Sequence, residues 1–484
     1  MSRTVLIASV LATIPVWIPA FPPMTDLPQH AAGVALLRAI QSPDFPFASL
    51  FQINWFTPYW FGHLLVYALV PLAGMVGALK LVIAGSLVGV SWATTVLMKE
   101  TGTDRRWALL TIPGMYGFSY QWGFLSFIVA APLGVYLVAL AFRQARDPHP
   151  RRAAALAVLT IVLFFSHALV CAFFGAIAGL ILLSTATTLT MAARRVAPLM
   201  VVVPMVLLWI PRMLAHPMGA KPMDWMFGWY RLPGTFGWIF GYPSVVVPLV
   251  AVVIFALPLA AGGRFRRSSA WIPLVVCVAT IAIAPYEVLG TSFVFPRFAW
   301  FLLPFYFIAF DTPRRRDWPR WTWPACLIVV VSWIGVVTMH VRQYQKESAA
   351  FGNVLAAMAP GQRAVWFAFA PYSAFADAPP YLHFGSWYTA LRGGLAEPSM
   401  AAAQTTAVWY KPEHLPAIRP IDFEWHPSSF DWKAMGGAQY RYFAARSLTD
   451  PGPLISRGAT CEVRLIYHAD DWWLYERDPA CSAR

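Results

Sequence analysis

Charged residues are scarce in this chain. Asp, Glu, Lys and Arg fill 12% of 484 positions, where soluble domains carry about 25%. A soluble globular body is excluded and a polytopic membrane protein is expected. Acids are the scarcer sign, 22 against 36 Lys and Arg, for a net charge of +14. That surplus sits in short clusters between apolar runs, the pattern of cytoplasmic loops, and so does not indicate a nucleic-acid surface. Cysteine is sparse too. Cys171, Cys277 and Cys326 lie in apolar runs and read as inert packing residues; Cys461 and Cys481 lie in a polar tail and are expected to pair if that tail is outside the cytosol. The sequence has no P-loop, no Gly-rich dinucleotide fingerprint, no internal repeat and no low-complexity linker. No small-residue cleavage site follows the apolar run at 4–20; FPPMTD follows it, so a retained first helix is expected.

What is present fixes a topology. The basic clusters are Lys99 with Arg105 and Arg106; Arg143, Arg146, Arg151 and Arg152; Arg194 and Arg195; Arg264, Arg266 and Arg267; and Arg314, Arg315, Arg316 and Arg320. If each is cytoplasmic, the chain goes out and returns between them. About eleven spans result, at 4–21, 76–98, 107–120, 122–142, 153–170, 172–191, 196–212, 244–262, 270–286, 298–311 and 321–340. The N-terminus is then cytoplasmic and the C-terminus outside. Residues 57–73 would upset that parity as a span, and with Trp, Tyr and His63 they read as a helix lying in the outer interface. The expected fold class is an all-α polytopic membrane domain over 1–343, with 22–75 as a first outer loop, and a small α/β extracytoplasmic domain over 344–484. In the tail, QYRYFAARS and CEVRLIYHADDWWLYERD read as strands and AAFGNVLAAMA as a short helix.

This topology gathers the remaining polar chemistry on the outer side. The first outer loop carries Asp26, His30 and His63. Later outer turns carry Gln121 and Trp122, His167, then Lys221, Asp224, Trp225, Trp229, Tyr230 and Arg231, and last Glu287 and Arg297. Ionisable groups at membrane depth usually mark function. Singly, each has an ordinary reading. His167 suits a hydrogen-bonded packing role; Trp225, Trp229 and Tyr230 suit an interfacial belt or a sugar platform; Arg231 and Arg297 suit lipid head groups. Asp26 is either the N-cap of a helix begun by TDLPQH, with Pro28 in its first turn, or a general base that takes a proton from an incoming hydroxyl. His30 lies one turn on, able to hydrogen-bond a substrate or help hold a metal. In the tail, His383, His414, His426 and His468 lack metal-ligand spacing, and no zinc is assigned. Trp387, Trp425, Trp432, Trp472 and Trp473 suit either a glycan or a protein partner.

The apolar first helix followed by PPMTDLPQH, a Pro-Pro-x-x-Asp-x-Pro-x-His pattern, resembles the GT-C superfamily of integral-membrane glycosyltransferases. That superfamily includes oligosaccharyltransferases, protein O-mannosyltransferases and lipid A aminoarabinose transferases. WGFLSFIVAAPLG and FSHAL resemble further stretches of bacterial multi-pass proteins with an Asp-x-Pro-x-His first outer loop. The resemblance implies a sugar transferase at the outer face of the bacterial cytoplasmic membrane, using a polyprenyl-phosphate-linked donor and a glycan, lipid or protein acceptor. On it, Asp26 matches the first-loop carboxylate that activates the acceptor or assists a metal. Arg231, Arg297 and Lys221 match cations for the donor phosphate, with Arg297 of VFPRFAW preferred. His63, Gln121, Trp122, His167, Asp224 and Glu287 would line the cavity. The superfamily's second acidic motif has no match in FSYQWGF, so the cofactor stays unknown and a divalent metal stays open. Two other classes remain at this point: a transporter or flippase for an amphipathic or lipid-linked substrate, and a non-catalytic anchor whose tail binds a partner.

Overall fold

The computed structural model describes residues 3–216, 223–242, 246–266, 268–288, 291–311, 319–403, 406–420 and 422–481. In chain order the principal helices are α1 (Arg3–Leu11), α2 (Leu27–Ala39), α3 (Trp60–Thr101), α4 (Leu125–Arg146), α5 (Pro150–Ser166), α6 (Ala168–Leu183), α7 (Val202–Leu214), α8 (Val246–Ala260), α9 (Ile272–Ile283), α10 (Thr322–Glu347) and α11 (Ser386–Arg392). The strands used below are β1 (Phe51–Ile53), β2 (Arg363–Ala368), β3 (Leu395–Glu397), β4 (Val408–Tyr410), β5 (Tyr442–Arg446), β6 (Val463–Ala469) and β7 (Trp472–Arg477). The chain divides into two compact units. Unit 1 holds residues 1–18, 80–215 and 220–341; unit 2 holds 19–79, 216–219 and 342–484.

Unit 1 is helical and apolar. Helix α4 has 22 residues, which rise about 33 Å at 1.5 Å per residue, the thickness of a bilayer's hydrocarbon core. Its two ends differ in chemistry. At the C-terminal end, Arg146 pairs with Glu100, Arg195 donates to the Ala145 carbonyl, and Arg266 donates to the Thr101 carbonyl and the Thr103 hydroxyl. Several of the basic clusters are thus gathered at one end of the unit, where they also satisfy helix-terminal carbonyls. The start of α4 adjoins the turn FSYQWGF. The eleven expected spans are not all long helices. Among the described residues three helical stretches are long and apolar enough to cross a membrane, or four if the bent pair Leu189–Leu199 and Val202–Leu214 is one span. Most of the other expected spans are shorter: 107–120 is largely a 3₁₀ helix, Arg105–Tyr116, and 298–311 is a 3₁₀ turn followed by Leu302–Ile308. Proline supplies a reason, since Pro113 and Pro211 remove backbone donors inside their segments. Within α3, Gly74 has φ 68° and ψ 172°, which splits the helix between the expected segments 57–73 and 76–98.

Unit 2 is built on a five-stranded sheet in the order β3-β2-β5-β7-β6. The β2–β3 and β2–β5 pairs are parallel; β5–β7 and β7–β6 are antiparallel. The two tail segments read as strands supply β5, β6 and β7, and AAFGNVLAAMA contains the helix Phe351–Ala357. One face of the sheet buries Val365, Phe367, Phe443 and Tyr475 with Phe423, Phe430, Trp432 and Tyr440. Trp387, Trp432 and Trp472 are core residues, so the reading of the tail tryptophans as an open binding face is corrected for these three; Trp425 is exposed. Cys461 and Cys481 form a disulfide, Cα to Cα 5.8 Å, while Cys171, Cys277 and Cys326 are free and buried.

The first loop clusters with the tail. Residues 19–79, assigned from sequence to the membrane domain, belong to unit 2. Three contacts explain it. β1 pairs antiparallel with β4, Gln52 facing Trp409. The Gln29 amide donates to the Pro398 carbonyl (2.9 Å) and accepts from Met400 N (3.0 Å). Phe21 packs its ring against Phe351, Phe384 and Trp387 at 5.4–5.5 Å.

Candidate functional site

The sequence TDLPQH does start a helix. α2 begins at Leu27 with Pro28 in its first turn, where a missing N–H costs nothing. Asp26 occupies the N-cap position, and its carbonyl accepts from His30 N at 3.0 Å. Its side chain, however, makes no capping hydrogen bond to the helix. The carboxylate turns instead to His383, with Oδ1 3.0 Å from Nδ1. That approach falls short of in-line hydrogen-bond geometry and acts as a charge contact.

His383 stands just before α11, in a turn whose Tyr381 and Leu382 carbonyls both accept from the Trp366 indole N–H at 3.0 Å. The next residue, Phe384, is locked into the aromatic group around Phe351 and Trp472. On its other side, His383 Nε2 lies 3.0 Å from Glu424 Oε2. Glu424 follows Phe423, which packs edge-on against Phe367 at 5.5 Å. The three side chains form a series, carboxylate–imidazole–carboxylate, with exposures of 14% for Asp26, 3% for His383 and 8% for Glu424. Burial opposes a charge on His383, but the Glu424 charge and the contacts with both carboxylates outweigh it and push the imidazole up to about 10. His383 is therefore an imidazolium at neutral pH.

His30 does not join this series. Its Nδ1 is 3.2 Å from His63 Nε2. His63 Nδ1 lies 2.7 Å from the Tyr59 carbonyl, which can only accept, so His63 carries its proton on Nδ1 and receives the bond from His30.

The other expected site residues lie in unit 1, apart from Lys221, which falls outside the described residues. Several are drawn together by aromatic rings. Trp122 packs tilted against Phe293 (4.1 Å), Phe293 meets Tyr286 (5.1 Å), and the Arg297 guanidinium lies 3.5 Å from the Phe124 ring centre. Arg297 also donates to the Ser292 and Phe293 carbonyls. Asp224 and Glu287 meet through their backbones as an isolated antiparallel bridge, with Asp224 N donating to the Glu287 carbonyl at 3.2 Å. Gln121 donates to the Tyr116 carbonyl, and His167 meets Phe127 edge-on at 5.5 Å. Arg231 is buried and spends its guanidinium on main-chain carbonyls of Trp225, Met226, Ile281, Ala282 and Ala284, over the face of Phe295. It pins the 225–226 loop to the end of α9.

His383 and Glu424 escaped the sequence reading. They come from distant segments with no shared spacing, and in the sequence His383 is one of several scattered tail histidines. The available signal was chemical: a histidine inside YLHFGSW, among residues certain to be buried, needs a charged or polar partner. No group of three His, Cys, Asp or Glu side chains among the described residues is placed to hold a metal ion, and the Asp26 carboxylate is engaged by a cation.

No protein-family profile matches this sequence, and no curated protein matches it. A solved structure does share its fold. ArnT from Cupriavidus metallidurans, in a crystal structure bound to undecaprenyl phosphate, superposes with a TM-score of 0.59 over 100% of both chains, at 10% sequence identity. Likeness at that identity concerns the fold, and it covers the whole of both chains. The chain therefore shares the fold of that structure, and among its described residues three helices are long and apolar enough to cross a membrane.

Proposed function

We propose that this protein is a membrane glycosyltransferase that moves a sugar from a polyprenyl-phosphate-linked donor to an acceptor hydroxyl at the outer face of the cytoplasmic membrane, with Asp26 as the general base. The observation that supports it is the Asp26 carboxylate itself. It sits at a helix start in the first loop of an ArnT-like fold, released from capping, held by His383 and still partly exposed. In the reaction the acceptor oxygen attacks the anomeric carbon as its proton passes to Asp26. The bond from that carbon to the phosphate oxygen breaks, and its electron pair leaves with the polyprenyl phosphate. A single displacement of this kind inverts the anomeric centre. Transfer of the proton by a placed carboxylate is worth about 10²–10⁴ in rate.

The leaving phosphate requires a fixed cation, and Arg suits phosphate oxygens. The reading assigns this role to Arg297 of VFPRFAW, at the head of an apolar segment. The test is sugar transfer by protein in lipid nanodiscs, using a panel of undecaprenyl-phosphate-linked hexoses and pentoses. D26N is expected to lower the rate by about 10² or more. Full activity in D26N removes Asp26 as base; uptake of substrate into proteoliposomes without any transfer favours a transporter.

A further inference from the structure

We propose that His383 and Glu424 are positioning residues of the same centre: Glu424 fixes His383, His383 fixes the Asp26 carboxylate, and the C-terminal segment thereby completes the site that activates the acceptor. This rests on the reading of Asp26 as the base.

The geometry argues for a built device. An Asp at a helix start ordinarily accepts from the N–H groups of the first turn, and this one makes no such bond. Its place is set from outside the helix, by a side chain 3.0 Å away. His383 is in turn set from behind, by a carboxylate that is itself buried. Burying two acids and an imidazole costs free energy that a hydrophobic trio of similar size would not. Packing alone gives no reason for them, because the neighbouring core is already closed by Phe21, Phe384 and Trp472. Both acids are more exposed than the imidazole between them, and Asp26, at 14%, is the most exposed of the three. An acid that orients an imidazole, which orients the reacting group, is the general logic of an activated constellation.

The charge count suits the chemistry. At rest the series carries two negative charges and one positive. When Asp26 takes the acceptor proton, the His383–Glu424 ion pair remains intact and the trio becomes neutral, so no unpaired charge is left buried. The charged groups acting on His383 are Asp26 and Glu424.

The experiment uses the full chain in lipid nanodiscs, the same donor panel, and the variants D26N, H383Q and E424Q, with ¹⁵N-histidine spectra of each. H383Q is expected to lower kcat by about 10- to 100-fold with KM nearly unchanged, because a misheld base costs rate more than binding. E424Q keeps the shape of the side chain but removes the charge that holds His383. It is expected to move the alkaline limb of the rate profile to lower pH and to bring forward the loss of the His383 proton. A fully active D26N sinks the base assignment and this inference with it. An inactive D26N beside H383Q and E424Q of unchanged kcat and pH profile overturns this inference alone. If no donor in the panel is turned over, the spectra decide: His383 still cationic at about pH 8 in wild type and titrating lower in both D26N and E424Q supports the array, and a neutral wild-type His383 at that pH overturns it.

Discussion

Glu397 is completely buried and accepts a hydrogen bond from the Tyr410 hydroxyl, while Arg363 stands 4.0 Å away. Burial raises its carboxyl, and the Tyr410 bond and the Arg363 charge only partly offset that, leaving it at about 7. The sign follows directly. A carboxyl raised in the folded state favours folding when protonated, so its contribution is full below the unfolded value near 4.5 and is lost as pH rises through about 7. The thermal midpoint of wild type is expected to fall between about pH 5 and pH 8 relative to Glu397→Gln, which keeps the acceptor for Tyr410 and cannot ionise. Parallel pH profiles for the two proteins would contradict this.

Arg446 ties three segments of unit 2 together. Its guanidinium pairs with Glu347 (2.6 Å) and Asp471 (3.1 Å), donates to the Tyr372 carbonyl and lies 4.0 Å from the Tyr381 ring centre. Arg446→Met leaves two acids facing each other without a cation. Both are partly exposed, which moderates the penalty to about 2–3 kcal/mol. Arg446→Lys, which keeps the charge but not the planar fork, is expected to lose about half of that. Denaturant midpoints of the two variants check the order.

How much of this was legible beforehand differs by element. The strands at 442–446, 463–469 and 472–477 were readable because aromatic and β-branched residues run together there. The helix start at Asp26 was readable from TDLPQH. Its partner was not, because an ion pair between the first loop and residue 383 leaves no spacing in the sequence, only an unexplained buried histidine. Arg231 and Arg297 looked alike as cations flanking apolar segments. In the structure both guanidinium groups bond main-chain carbonyls and lie over an aromatic ring, a setting made by the path of the neighbouring loops. Long hydrophobic runs marked the membrane unit correctly as a class, but prolines and the break at Gly74 divide those runs in ways that composition does not register.

The Cys461–Cys481 bridge closes the tail's last hairpin region across 20 positions. Denatured, unreduced protein from an oxidising compartment is therefore expected to show three reactive thiols, Cys171, Cys277 and Cys326, and all five after reduction. Reduction is expected to lower the stability of unit 2 by about 3 kcal/mol, as for a closed loop of this size. Five thiols before reduction would contradict the pairing.

Gln29 provides a test of how the first loop is held. Its amide oxygen accepts from Met400 N in a part-buried bond, and its amide nitrogen donates to the Pro398 carbonyl in a buried one. Gln29→Leu fills similar space but strips both partners, which costs about 1–3 kcal/mol for each group left unsatisfied. Gln29→Glu discriminates between the two bonds, since a carboxylate still accepts from Met400 N but cannot donate to Pro398. Hydrogen exchange at the Met400 amide is expected to speed up strongly in Gln29→Leu and to stay near the wild-type rate in Gln29→Glu. Equal acceleration in both would mean that burial of the segment, and not the amide clamp, protects that N–H.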